Sequence, residues 1–268
     1  MKVNLHTHTA RCGHATGTEE EYVLAAIENG YEKLGFSDHT PFPYEGGYVN
    51  RTKMLPAQLP GYIETVLSLK EKYKDSIEIL LGLECESVPR FFPYLQEISK
   101  DMDYLILGSH GDWSIGHTYS GRYSKPWQLH RYLADVVEGM ESGLFLYVAH
   151  PDLMLGQYPE FDETAEFVSR QLCREANRLN IPLEYNLYGN LKPRPEGTLG
   201  YPYPPFWEIA AEENVQAVIG LDAHSAEQFF QVDLTGAQRL LREMGIAVME
   251  DPTVLIKKDC GFDKDGVK

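Results

Sequence analysis

The sequence predicts a parallel α/β barrel, and three observations predict it. Short apolar runs alternate with helix-period segments along nearly the whole chain, almost every run ends in a histidine or a carboxylate, and 268 residues suit one barrel of ordinary size. Alternation alone would also fit an open doubly wound sheet, whose site gathers at a single switch point. Here His6, His8, His39, Glu84, His110, His150, Asp222 and His224 stand at the ends of six different runs. A closed barrel brings the C-terminal ends of all its strands onto one face, so this distribution favours the barrel.

The first strand covers residues 2 to 7 and leads into His6-Thr7-His8, where period two turns both imidazoles to one side. The loop from Thr9 to Thr18 contains Cys12-Gly13-His14. It runs through the capping sequence Thr18-Glu19-Glu20-Glu21 into a helix that Gly30 stops. Lys33 to Ser37 forms the second strand and ends in Asp38-His39. The Pro- and Gly-rich stretch from Thr40 to Pro60 is long for a compact domain, which marks it as a functional loop. A helix follows from Gly61 to Lys74 on the period of Ile63, Val66 and Leu67.

The third strand, Glu78 to Leu83, ends in Glu84. A short helix near Phe91 to Lys100 precedes the fourth, Tyr104 to Gly108, which ends in Ser109-His110. After a polar, aromatic loop over 111–125, Pro126 opens a helix to Gly143. The fifth strand, Leu144 to Ala149, ends in His150, and a helix from Phe161 to Leu179 leads to the sixth, Pro182 to Tyr185, with Glu184 and Asn186 near its end. Arg194 lies in the next loop, before a helix near Phe206 to Glu213. The seventh strand, Ala217 to Leu221, ends in Asp222-Ala223-His224. A helix from Ala226 to Met244 and a short strand or tail over 246–254 follow. No repeat or low-complexity linker interrupts the series, so residues 1–268 read as one domain of seven βα units.

At 43% hydrophobic the chain can bury a large core. No apolar run approaches the roughly 18–20 residues that span a bilayer, and the N-terminus lacks a basic segment followed by an apolar one. The expectation is a soluble, cytoplasmic protein without a membrane partner. A net charge of −16 and the absence of a Lys/Arg cluster argue against long nucleic acid as a partner. A small substrate fits better, since a metal centre can locally reverse the sign of the field. The four cysteines have no paired spacing and read as reduced, buried or incidental thiols, with Cys12 and Cys85 close in sequence to candidate ligands.

Seven histidines with two carboxylates are more donors than one ion uses, which implies two or three divalent ions; Zn, Mn and Fe all accept such ligands. A carboxylate such as Glu84 can bridge neighbouring ions. Centres of this kind hold a phosphoryl oxygen, generate hydroxide near neutral pH and stabilise the leaving oxygen, and phosphate ester hydrolysis needs all three effects.

The segments His6-Thr7-His8, Asp38-His39, Gly82-Leu83-Glu84, Gly108-Ser109-His110, His150-Pro151-Asp152-Leu153 and Gly220-Leu221-Asp222-Ala223-His224 resemble, in order and spacing, the motifs of the polymerase and histidinol phosphatase (PHP) superfamily. Ser37-Asp38-His39, Glu184-Tyr185-Asn186 and the chain length look most like its histidinol-phosphate phosphatases. The resemblance implies a distorted (β/α)7 TIM-like barrel with three metals. The first would take His6, His8, Glu84 and Asp222, the second Glu84, His110 and His150, and the third His14, His39 and His224. It also implies hydrolysis of L-histidinol phosphate by a metal-bound hydroxide. Another small phosphate ester is the alternative substrate, and a noncatalytic metal-binding module is the alternative class. Two departures stand out. Met154-Leu155-Gly156-Gln157 replaces a basic residue common after the His-x-Asp-Leu motif, and Gly108-Ser109-His110 lacks the usual spacer.

Several residues keep two readings. Asp38 would either orient a ligand or protonate the leaving group, beside a plain hydrogen-bonding role. Arg194 is the leading phosphate clamp because guanidinium binds phosphate in a fork. Arg122 is a second candidate, with a solvated surface charge as its competing reading. Asn186 would bind substrate or satisfy the backbone at a strand end. His117 would reach substrate or stay a plain loop residue, and His130 reads as structural or exposed.

Overall fold

A computed structural model describes residues 2–46, 49–112, 118–192 and 196–256. In chain order the elements are β1 (Val3–Asn4), α1 (Glu19–Glu28), β2 (Lys33–His39), α2 (Leu59–Lys72), β3 (Glu78–Cys85), α3 (Phe92–Ile98) and β4 (Tyr104–Leu107). A small hairpin of β5 (Gly111–Asp112) and β6 (Thr118–Tyr119) precedes α4 (Pro126–Glu141), α5 (Glu163–Leu179), β7 (Leu183–Asn186) and α6 (Tyr188–Leu191). Then come α7 (Pro204–Glu212), β8 (Gln216–Gly220), α8 (Gln228–Gln231), α9 (Leu234–Glu243) and β9 (Ala247–Val248).

The parallel strands curl into a barrel. β1 to β4 form one continuous ladder in sequence order, and β7, β8 and β9 form another. The fifth predicted strand joins them less regularly than expected: among the described residues its ladder partners are single bridges from Val148 to Leu107 and to Leu183. It still bonds to both sides, through Leu146 N to Leu105 O (2.8 Å) and Glu184 N to Val148 O (2.8 Å). On the other side Thr7 bridges Ala223, with His8 N donating to Ala223 O (2.9 Å). The buried Asn4 strengthens this seam, because its Oδ1 accepts from both Leu221 N (2.9 Å) and His6 N (3.2 Å).

Period two sorts the strand residues into two layers. Val3, Leu5, Leu80, Tyr104, Ile106, Tyr147, Ala149 and Val218 form one apolar cluster, the barrel interior. Leu34, Phe36, Ile79, Leu81, Leu83, Leu105 and Leu107 belong to the larger cluster that packs the strands on the helices. Glu84 therefore follows Leu80 on the inner face of β3. The register His39↔Glu84 between β2 and β3 sets its neighbour.

Helix ends follow local chemistry. Thr18 and Glu21 form the predicted capping box on α1. The single helix expected from Ala226 to Met244 is instead two. The chain turns extended at Val232, and Asp233 caps α9 through Gly236 N (2.8 Å). The final predicted strand pairs with the start of β8. Cys12, Cys85 and Cys173 are buried free thiols, and among the described residues no helix is long and apolar enough to cross a membrane.

Candidate metal centre

Every predicted metal-ligand residue converges on the C-terminal rim of the barrel. Glu84 is completely enclosed. Its Oε1 lies 2.9 Å from His150 Nε2, 3.3 Å from His110 Nε2 and 3.6 Å from His6 Nε2, and its Oε2 lies 3.0 Å from His39 Nδ1 and 3.5 Å from His8 Nε2. Asp222 Oδ1 sits 3.0 Å from His8 Nε2 and 3.4 Å from His6 Nε2. The loop residue His14 joins the same cluster, its ring 4.8 Å from that of His224 and 5.4 Å from that of His39.

Room for these carboxylates comes from two glycines. A Cβ on Gly108 would stand 2.0 Å from Glu84 Oε1, and one on Gly220 would stand 1.8 Å from Glu184 Oε1. The backbone also departs from strand geometry at the rim. His150 (φ 30°) and Asp222 (φ 51°) occupy the left-handed region, a conformation of non-glycine residues that persists where surrounding structure over-determines it.

Acceptors behind the rings turn the donor nitrogens inward. Glu184 Oε1 accepts from His6 Nδ1 (2.7 Å), and Glu86 Oε1 accepts from His110 Nδ1 (3.0 Å). Backbone carbonyls do the same for His14 (Cys12 O, 3.0 Å) and His224 (Asp222 O, 2.8 Å). A carbonyl or carboxylate on Nδ1 fixes the proton there and leaves Nε2 as a lone pair facing the cluster, which is how ligating imidazoles are oriented. Asp38 faces His8 Nδ1 at 3.6 Å, accepts His39 N (2.7 Å) and receives the Thr9 hydroxyl.

The unbonded atoms point to what is bound here. His8 Nδ1, His39 Nδ1, His150 Nδ1 and Glu84 Oε2 are buried without a hydrogen bond, and His6 Nε2 and His8 Nε2 face each other at 3.2 Å. Buried polar atoms normally have partners. Sets such as His6/His8/Asp222, His6/Glu84/His150 and His8/His39/His224 each present three donor atoms within 4.8 Å of one another. Imidazole with carboxylate fits Zn, Mn or Fe.

Electrostatics agree. Burial alone would raise Glu84 and Asp222, yet the surrounding histidines hold both well below the ordinary carboxylate range. Burial and the nearby His8 push His39 well down and His224 to about 3, which keeps both neutral and able to ligate. Against its own burial, His8 is raised to about 9 by Asp222 and Asp38, and His6 is raised by Glu184, Asp222 and Glu84. Without a metal, the neighbouring carboxylates favour the charged form of these two rings.

The cluster opens into a cleft of about 560 Å³, the right size for a small molecule. Arg122 lines it as an exposed residue. Asn186 is buried and internally engaged: Nδ2 donates to Glu184 (2.9 Å) and Asp222 (3.2 Å), and Oδ1 accepts from Tyr188 N (3.0 Å). His130 is exposed on α4. Arg194 and His117 lie outside the described residues.

Sequence reasoning missed four contributors. Glu86 stands two residues after Glu84, a spacing that period two makes readable. Glu184 stands at a strand end, where position alone does not reveal that its carboxylate backs His6. Lys53 and Lys192 line the cleft from loops that carry no motif. Asp152, inside the His-Pro-Asp-Leu motif, is no ligand; its Oδ2 accepts from Tyr203 N (2.8 Å) and Trp207 Nε1 (3.1 Å), tying down the next loop, and burial raises it to about 6.

A parallel α/β barrel with a buried histidine–carboxylate cluster at its C-terminal rim defines a metal-binding barrel protein. Residues 4–186 match the PHP domain, and the chain belongs to that family. It is 32% identical over 229 residues to a Deinococcus radiodurans protein described as a probable histidinol-phosphatase, covering 82% of this chain and 85% of that one. It is 25% identical to the Bacillus subtilis histidinol-phosphatase, covering 82% and 92%. The fold resembles that of the Lactococcus lactis histidinol phosphate phosphatase, solved with zinc, L-histidinol and phosphate, with a TM-score of 0.70, 18% identity and coverage of 92% and 95%.

Proposed function

We propose that this chain is a metal-dependent phosphoric monoester hydrolase that converts L-histidinol phosphate to L-histidinol and phosphate, a step of histidine biosynthesis. The observation that carries the reading is one buried carboxylate, Glu84, within 3.6 Å of five imidazoles, beneath a cleft lined by His39, His110 and His150. The relatives named as histidinol-phosphatases supply the substrate.

In this reading His6, His8, Glu84 and Asp222 would hold one ion, Glu84, His110 and His150 a second, and His14, His39 and His224 a third. Bound divalent cations supply Lewis-acid charge to phosphoryl oxygens and lower the pKa of water. The chain's own residues hold that centre in shape. Glu184 and Glu86 fix the proton of His6 and His110 on Nδ1, and Asp38 supplies negative charge 3.6 Å from His8 Nδ1; its enclosure by Thr9 and the His39 backbone supports this role over protonation of a leaving group. Arg194 and Arg122 take phosphate oxygens. The domain is single, and the protein works in the cytoplasm on a small ester, without nucleic acid or membrane.

The test is phosphate release from L-histidinol phosphate, beside nucleotide and sugar phosphates, by protein reloaded separately with Zn, Mn and Fe. Selective turnover of histidinol phosphate is expected. Preference for another ester would discard the substrate, and no turnover with any metal would discard the enzyme.

A further inference from the structure

The long loop between β2 and α2 delivers Lys53 to the cleft. Its side chain is only 4% exposed, although lysine is seldom fully enclosed unless paired. The ammonium is held by Glu86 Oε1 at 2.8 Å, and the same oxygen accepts from His110 Nδ1 at 3.0 Å while Glu86 Oε2 accepts from His110 N at 2.7 Å. Lys53, Glu86 and His110 all line the cleft. One carboxylate thus locks an ammonium and a metal-cluster imidazole into a fixed relation.

Glu86 has two oxygens and could orient His110 without help, as Glu184 orients His6 while accepting from the His150 amide and Asn186. An ammonium sunk beside the cluster costs desolvation and side-chain entropy, so charge balance alone is a poor reason to bring it from a distant loop. Its position instead suits an anion bound across the cluster. Lys192 brings a second cation to the cleft, 4.0 Å over the Tyr188 ring, which stacks at 4.6 Å on His224, a different member of the cluster. In a chain of net charge −16, two ammonium groups flanking one histidine cluster mark where negative charge is received.

We infer that Lys53 is a substrate-binding residue that donates to a phosphoryl oxygen, with Glu86 holding it in register with His110. The inference rests on the phosphatase reading for its ligand, but its test does not require turnover. Inorganic phosphate is titrated calorimetrically into zinc-loaded protein, and L-histidinol separately, for the native chain, Lys53→Gln and Lys53→Arg. Glutamine retains a donor toward Glu86 while removing the charge; Lys53→Met replaces it if the glutamine variant does not fold.

Loss of one charge-assisted contact weakens phosphate binding by roughly ten- to a hundredfold. The expected result is that loss in Lys53→Gln, with zinc content and L-histidinol affinity unchanged and most phosphate affinity recovered in Lys53→Arg. Unchanged phosphate affinity with zinc bound would overturn the inference and leave Lys53 as a counter-charge for Glu86. Equal weakening of phosphate and histidinol would overturn it as well. Lys53-dependent phosphate binding in a protein that does not hydrolyse histidinol phosphate would sustain the inference and sink the substrate assignment.

Discussion

The two halves of the barrel are built differently. From β1 to β4 the backbone carries the structure: β2 and β3 share seven paired residues from Lys33↔Glu78 to His39↔Glu84, and the site residues ride on that ladder. From Val148 onward the backbone pairing is less continuous: β7 and β8 share four paired residues, but Val148 meets each neighbour at one bridge, and buried polar side chains reinforce the joins. Glu184 links His6 Nδ1 on the first strand to His150 N on the fifth, Asn186 ties Glu184 to Asp222, and Asn4 reaches Leu221 N. In the first half the sheet positions the site, whereas in the second the groups behind the site also hold the sheet.

Glu84, on the β2–β3 ladder, and Glu184, at the seam, separate the two modes of construction. Glu84→Gln offers the cluster one acceptor in place of two and turns amide protons toward imidazole lone pairs. Hydrolysis of histidinol phosphate is expected to fall below detection and bound metal to drop, while circular dichroism stays native because the β2–β3 ladder is untouched. A variant that fails to fold would show that the first half also depends on its site.

Glu184→Ala removes the acceptor for His6, the His150 amide and Asn186 at once. Breaking a buried network of this kind costs about 3–5 kcal/mol, and loss of the group that orients a ligand costs roughly 10–100-fold in metal affinity. Urea unfolding of the metal-free protein should show the first and zinc titration the second. Reduced zinc affinity at native stability would mean the seam holds without its carboxylate.

The same division explains what could be read from the chain. His6, His8, Glu84, His110, His150, Asp222 and His224 were legible because each follows an apolar run, and the barrel converges strand ends whatever the details of pairing. His14 needed the family resemblance, since a loop residue has no period to place it. The capping box at Thr18 and Glu21 was legible because it is local. Asn4 was not, because its partner Leu221 lies 217 residues away. Lys53 was hidden for a related reason: the 40–60 loop was recognised as functional, but loop backbone has no repeat from which to say which side chain turns inward. Helix continuity failed at Asp233, where a polar cap outcompeted the periodicity around it.

Asn4→Ala is a smaller test of the seam. It leaves Leu221 N and His6 N without their acceptor, a loss of about 1–3 kcal/mol. This loss is expected in urea unfolding both with and without metal. Substituting Ser37, whose hydroxyl receives Thr7 N on the ladder side (3.2 Å), should cost less, because the neighbouring backbone bond from Ser37 N to Thr7 O (2.8 Å) remains. Equal costs would erase the distinction between the halves.

The gentlest perturbation is pH applied to the metal-free protein. His8 is raised from 6.5 to about 9 in the folded state, so its proton stabilises the fold fully below pH 6.5 and that contribution is lost as pH climbs toward 9. His224 is lowered to about 3, so the unfolded chain gains protons first and stability falls as pH drops from 6.5 toward 3. The melting temperature of the metal-free protein should therefore peak near pH 6.5 and decline on both sides. Divalent cations replace the protons on His6 and His8 and need neutral rings, so zinc loading should abolish the alkaline decline and leave the acid one, where protons displace the metal. An alkaline decline that persists in zinc-loaded protein would place its cause outside the seven-histidine cluster.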